Sequence, residues 1–257
     1  MKYPIILVHG LALKELKIRK AFGRIEKILK DNGYIVYTST QDAFGTISNN
    51  AIQLKEQILE ILKKENVDKV NIIAHSKGGL DSKYMIENLG MENNIASLTT
   101  LCTPFKGSLV ASLLLKLPKF ITHTLAFFIN TYYKILKDKK PDALKVCQEL
   151  QLVDNIEIET LKIPNNIYCQ SYSTTLKNKR DDFLLSIPLM FSKHYEKVPT
   201  DGLVTQTSSR FGNYMGDFTT DSISHIHIVD FMANKKKKEK IYKFYIDLCI
   251  ELEKLGF

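Results

Sequence analysis

The chain lacks the marks of several protein classes. Its four cysteines, Cys102, Cys147, Cys169 and Cys249, show no CxxC pair and no metal-ligand spacing. That leaves no zinc or dithiol motif, and nothing demands a disulfide. Cys102, Cys169 and Cys249 sit in or beside apolar runs and read as small packing hydrophobes. Long hydrophobic runs are missing too. The longest, 109–117 and 124–133, are too short to span a bilayer, and Lys116, Pro118 and Lys119 keep them from joining, so no transmembrane segment is expected. Basic and aromatic residues do not interleave, and no nucleic-acid partner is expected. There is no internal repeat and no low-complexity linker. Met1-Lys2-Tyr3 enters a strand-like run at once, with no signal-peptide pattern. The sequence as it stands reads as cytoplasmic, or as secreted if a leader has been removed.

What is present is a chain of 257 residues, 44% hydrophobic and 25% charged, with a net charge of +8. This is enough for a full hydrophobic core. Five lysines lie within Lys235 to Lys240 and read as the solvated start of a helix. Short β-rich apolar runs at 4–8, 34–37, 70–74 and 95–101 alternate with helical spacing at 15–31, 49–65 and 78–89. That alternation predicts a parallel sheet covered on both faces. The rhythm stops after Thr103-Pro104. Residues 105–161 are helical in pattern and unusually apolar, with Leu113, Leu114, Leu115, Phe120, Phe127 and Phe128 among them. A strand is expected again at 167–171. The stretch 177–199 reads as polar and irregular around an apolar patch at 183–191. Residues 226–232 open helically, and 236–255 close the chain as a helix. The simplest division is a single domain over 1–257 with 105–161 as a helical cap inserted into it.

The densest chemical signal is Ile72-Ile73-Ala74-His75-Ser76-Lys77-Gly78-Gly79. An apolar run leads into a Ser with small residues two before and two after it, and a helical stretch follows. This is the strand–turn–helix layout of a nucleophile elbow, here A-x-S-x-G. A serine hydroxyl needs a base, and the base needs an orienting carboxylate; behind such an elbow they follow in the order acid, then His. Of the six histidines only His194, His225 and His227 lie beyond the cap region. Asp201, in the tight turn Thr200-Asp201-Gly202, is the acid candidate. His225 and His227 are both candidates for the base. His225 is preferred because it comes first after the polar Asp221-Ser222 region. Acyl transfer also needs N–H donors for the carbonyl oxygen as it gains charge. Lys77, at the start of a helix, supplies one; Leu11, after the first strand with Gly10 making room, is placed for the other.

Four blocks carry a family resemblance: Pro4 to Leu11, Asn71 to Gly79, Leu101 to Ser108 and Thr200 to Ser209. They resemble the bacterial true lipases and esterases of the α/β-hydrolase superfamily. The resemblance implies an α/β-hydrolase fold and a catalytic set of Ser76 as nucleophile, Asp201 as acid and His225 as base. It also implies oxyanion donors at Leu11 and Lys77, and a lid formed by the cap. The expected activity is hydrolysis of lipid carboxylic esters through an acyl-enzyme, the substrate being a lipid or small ester met partly through lipid-interface contact by the cap. The chain departs from the family at Ala74, where Gly is usual, and at Lys77, a cation that would stand at the mouth of the site. A calcium-ligating Asp of that family would fall at His227, and a family cysteine near Thr207 is missing. No cofactor or metal is therefore expected. The same residues would also serve an acyltransferase, and a catalytically silent lipid-binding scaffold would keep only the capped pocket.

Overall fold

The structure, a computed structural model, describes residues 1–14, 20–152, 164, 166–195 and 197–257. In chain order the elements are β1 (Ile5–Val8), α1 (Ile25–Asp31), β2 (Val36–Thr38), α2 (Ile47–Glu65), β3 (Val70–His75), α3 (Lys77–Asn88) and β4 (Ile95–Leu101). There follow α4 (Leu109–Leu115), α5 (Lys119–Ile135), α6 (Ala143–Glu149), β5 (Tyr168–Ser173), α7 (Ser186–Tyr195), β6 (Asn213–Asp217) and α8 (Lys235–Lys254). The strands form one sheet in the order β2-β1-β3-β4-β5-β6, and every pairing is parallel.

Parallel strands need crossovers, and here helices supply them on both faces. Alternate residues of β1 divide between the two cores. Ile5 and Leu7 pack with Phe22, Ile25, Leu29, Ile241 and Tyr245 under α1 and α8. Ile6 and Val8 pack with Leu54, Ile58, Met85 and Ile86 under α2 and α3. A strand buried on both faces is apolar or pairs its polar groups internally, so β1 reads as a continuous apolar run, while the buried β3 and β4 carry Asn71, Ser97 and Thr99, with Ser97 Oγ donating to Asn71 Oδ1 at 2.7 Å and the Gln170 amide to Thr99 Oγ1 at 3.0 Å. The fold is that of an α/β-hydrolase.

Several elements differ from expectation. The first helix begins at Ile25. Residues 20–24 are a coil and turn in which Gly23 has φ +50°, and a Cβ there would lie within 2.5 Å of the Asp230 carboxylate. Residues 15–19, which the helical spacing also covered, lie outside the described residues, as does 153–161 of the cap region. The stretch 177–199 is not irregular throughout, since it contains α7. Its Pro188 is the third residue of that helix, where a missing N–H costs no intrahelical bond. Strand β6, Asn-Tyr-Met-Gly-Asp, carries no apolar run because it is a half-exposed edge strand. Residues 226–232 form only a short 3₁₀ turn, His227–Val229. The lysines at 235–240 are not simply solvated: Lys238 pairs with Asp230, Lys240 with Asp221, and Lys237 reaches His227 and the Asp181 carbonyl.

Candidate active site

Ser76 lies between β3 and α3 with φ 54° and ψ −130°. A non-glycine residue there costs roughly 1–3 kcal/mol. The turn is held by the Ser76 N–H donating to the Leu101 carbonyl at 2.9 Å and by Thr103 Oγ1 donating to the Ser76 carbonyl at 2.9 Å. The need for a small residue at 78 is explicit. A Cβ on Gly78 would stand 2.6 Å from the His9 carbonyl oxygen and 2.7 Å from that of Val8. It is the end of β1 that crowds the helix start.

Asp201 is buried in its turn. Its Oδ1 accepts the N–H groups of Leu203 at 2.9 Å and Val204 at 2.8 Å, which aims Oδ2 at His225 Nδ1, 2.7 Å away. Facing a carboxylate, Nδ1 carries the ring proton. Nε2 is left bare to accept from Ser76 Oγ at 2.8 Å. The His225 N–H also donates to the Asp201 carbonyl at 3.0 Å. Thus Ser76, His225 and Asp201 form one hydrogen-bonded line. His227 is not part of it: its Nδ1 lies 3.3 Å from Lys237 Nζ and its Nε2 3.6 Å from Asp182 Oδ2. His194 is exposed on α7 against Tyr195.

The two N–H groups expected to serve the carbonyl oxygen belong to residues beside Ser76. That of Lys77 opens α3, and that of Leu11 follows Gly10; neither has an acceptor among the described residues. A Cβ on Gly10 would lie 2.6 Å from Ser76 Cβ, so the loop carrying Leu11 passes directly beside the serine. His9 steadies that loop. Burial pushes its pKa down to about 4, so it is neutral, with Nδ1 donating to the Gly10 carbonyl at 3.0 Å.

Relatives carry the same fold. A family model for palmitoyl protein thioesterases matches residues 4–151. The triacylglycerol lipase of Pseudomonas fragi is 32% identical, the match covering 99% of this chain and 97% of that protein. The chain belongs to the lipase and esterase family of α/β-hydrolases. Triacylglycerol lipase 2 of Saccharomyces cerevisiae is 28% identical, over 91% of this chain and 73% of that one. With other curated triacylglycerol lipases the match spans only 36% to 44% of their length. Among solved structures, Staphylococcus hyicus lipase superposes with a TM-score of 0.73 at 13% identity, covering 100% of this chain and 96% of that one; at such identity the likeness speaks of fold.

In this hydrolase a cavity of about 440 Å³ opens onto Ser76 and His225 and runs under α4, α5 and α6, past Ala111, Ala126, Val146 and Leu150. Among the described residues no Asp, Glu, Lys or Arg lines it. The site therefore offers an apolar chain a bed and a charged group none.

The cation at Lys77 is not at the mouth of the site. Its side chain is 1% exposed and turns inward, with Nζ 2.6 Å from Asp81 Oδ1. Asp81 Oδ2 also accepts from Asn50 at 3.0 Å, and the same amide reaches the Asp42 carbonyl at 2.9 Å. Asp42 in turn grips the cap: its carboxylate accepts the N–H groups of Lys139 and Lys140, each at 2.7 Å. No sequence pattern had marked Asp42, because its partners lie in the turn between α5 and α6.

A calcium ion does not fit around His227. Calcium takes hard oxygen ligands, whereas this position presents an imidazole with the Lys237 ammonium 3.3 Å from it. Cys102, Asp201 and His225 bring metal-competent atoms within 4.8 Å of one another, but the Asp201 and His225 atoms are engaged with each other.

Proposed function

We propose that Ser76 of this ester hydrolase attacks the carbonyl of lipid carboxylic esters, triacylglycerols or simpler carboxylesters, and carries the acyl group as an acyl-enzyme. The observation that carries the reading is the Ser76–His225–Asp201 line at the end of an uncharged apolar cavity. His225 Nε2 takes the hydroxyl proton as Oγ bonds to carbon. Asp201 holds the ring and stabilises the imidazolium. The N–H groups of Leu11 and Lys77 receive the oxyanion, each worth roughly 3 kcal/mol. His225 then protonates the leaving alcohol and activates the water that releases the acid. In this reading residues 1–257 act as one catalytic unit, with 105–161 as its cap. The match to a thioesterase model supports a second substrate class with the same acyl chain and a thiol leaving group.

The cap also supports contact with a lipid surface. Phe120, Phe127, Phe128, Tyr132 and Ile135 are exposed on α5. From Leu109 to Lys137 the sequence carries four lysines and no acidic residue. Such a face suits an anionic lipid–water interface. Among the described residues no single helix is long and apolar enough to cross a membrane. Replacing Phe127 and Phe128 by Ser is expected to weaken binding to phosphatidylglycerol vesicles while sparing turnover of a soluble acetate ester.

The deciding experiment is fluorophosphonate labelling of wild type and Ser76→Ala, with a p-nitrophenyl ester panel from acetate to palmitate and a palmitoyl thioester. Labelling and turnover should both disappear in Ser76→Ala. An unlabelled, inactive wild type in detergent would leave a lipid-binding scaffold as the better account.

A further inference from the structure

Asp201 supplies two of the contacts that hold His225, one to the ring and one to its backbone N–H. A third comes from another element. His75, the last residue of β3, places Nε2 at 2.9 Å from the carbonyl oxygen of His225, with the two rings 4.7 Å apart. We infer that His75 is a positioning residue for the base, fastening the backbone of His225 to the same strand end that carries Ser76. The inference rests on the acyl-enzyme reading of Ser76 and His225.

A carbonyl oxygen can only accept, so the proton of the His75 ring must sit on Nε2. The ring is neutral. It is 1% exposed, and burial, with the neighbouring His225 adding to it, pushes its pKa well below 6.5. His75 therefore donates one hydrogen bond and does not compete for the proton that His225 must take from Ser76. Its other nitrogen, Nδ1, is buried without a hydrogen-bond partner among the described residues. Burying a bare ring nitrogen costs free energy, so a Leu or Met would be the cheaper residue if this position only filled space. The bond to His225 is what a histidine adds here.

The geometry makes the contact consequential. His75 and Ser76 are adjacent in sequence, and His75 is paired in register with Leu101 of β4 in the middle of the sheet. The segment carrying His225 has only a short 3₁₀ turn for regular structure. The Ile223 N–H donating to the Thr175 carbonyl and Ser224 Oγ donating to Asp182 also anchor that segment, but neither ties it to the strand that carries Ser76. The bond from His75 supplies that tie, at the strand end where His225 Nε2 stands 2.8 Å from Ser76 Oγ. A displacement of about 1 Å between base and nucleophile costs on the order of a hundredfold in rate.

The test uses a near-isosteric pair, His75→Gln, which keeps an N–H donor, and His75→Met, which does not. Both are assayed on a soluble short-chain ester, beside Ser76→Ala and Asp201→Asn. His75→Met is expected to lower kcat by about ten- to a hundredfold with KM within about twofold of wild type, and His75→Gln to recover most of the loss. Because His75 and Asp201 act on one imidazole, the combined loss in His75→Met/Asp201→Asn should fall short of the product of the single losses. A folded His75→Met with wild-type kcat, equal losses in Met and Gln, or fully multiplicative losses would each overturn the inference. If His75→Met does not melt cooperatively, His75→Gln decides alone: kcat within a few fold of wild type supports the bond, and a hundredfold loss in a folded protein refutes it. Turnover surviving in Ser76→Ala would instead refute the acyl-enzyme reading.

Discussion

Replacing Lys77 by Met should destabilise the protein in a strongly pH-dependent way. Lys77 Nζ and Asp81 Oδ1 are 2.6 Å apart and both side chains are 1% exposed. At an effective dielectric of about 20 the attraction is roughly 6 kcal/mol. Burial nevertheless wins over it, because the Asp81 pKa is raised from 3.8 to about 6, with desolvation as the largest cause and Lys77 opposing. The folded state therefore holds a proton that the unfolded state has lost between pH 3.8 and 6. Stability falls as pH rises through that window and levels off above it, the ionised carboxylate then costing about 3 kcal/mol. Without Lys77, Asp81 stays protonated when folded, and at pH 7 keeping that proton costs about 4 kcal/mol. The loss in Lys77→Met should therefore be smallest near pH 5, where removing Lys77 also relieves the burial of an ammonium facing a neutral acid, and grow by up to about 1.4 kcal/mol per pH unit above 7. Urea unfolding at pH 5, 7 and 9 measures this, with Lys77→Met/Asp81→Leu as the variant whose stability should not fall with pH at this site. A Lys77→Met loss that is the same at pH 5 and pH 9 would refute the reasoning.

Three further outcomes follow from the geometry. Asp201→Asn should keep the Leu203 and Val204 bonds but present an N–H to His225 Nδ1, forcing the wrong tautomer; kcat is expected to fall about 10⁴-fold with KM little changed, read by steady-state kinetics. Gly10→Ala drives a methyl to within 2.6 Å of Ser76 Cβ, and the displaced Leu11 N–H should cost roughly a hundredfold in kcat, while an unchanged kcat would remove Leu11 from the oxyanion site. Asp42→Ala removes the acceptor of the Lys139 and Lys140 N–H groups, so hydrogen exchange should quicken at those two amides, and unchanged protection there would show that the cap is held elsewhere.

Much of this was legible in one dimension because it is local. A strand buried on both faces is largely apolar, so β1 and most of β3 and β4 stood out as runs, and the elbow stood out because Gly78 packs against the end of β1. The order acid-then-His narrowed the base to two histidines two residues apart, with an isoleucine after each. Nothing local separates them. Only the fold shows which of them meets Ser76, 149 positions earlier in the chain: it is His225.

Periodicity and the backbone needs of a few neighbours fix the alternation of elements, the elbow and the short set of polar residues able to do acyl chemistry, all readable along the chain. Folding alone brings His225 to Ser76 and His227 to Asp182 and Lys237, turns Lys77 inward to Asp81, and sets the His75 ring on the His225 carbonyl. Those are contacts between groups far apart in the chain, and a side chain's direction is set by the partner that desolvation obliges it to find.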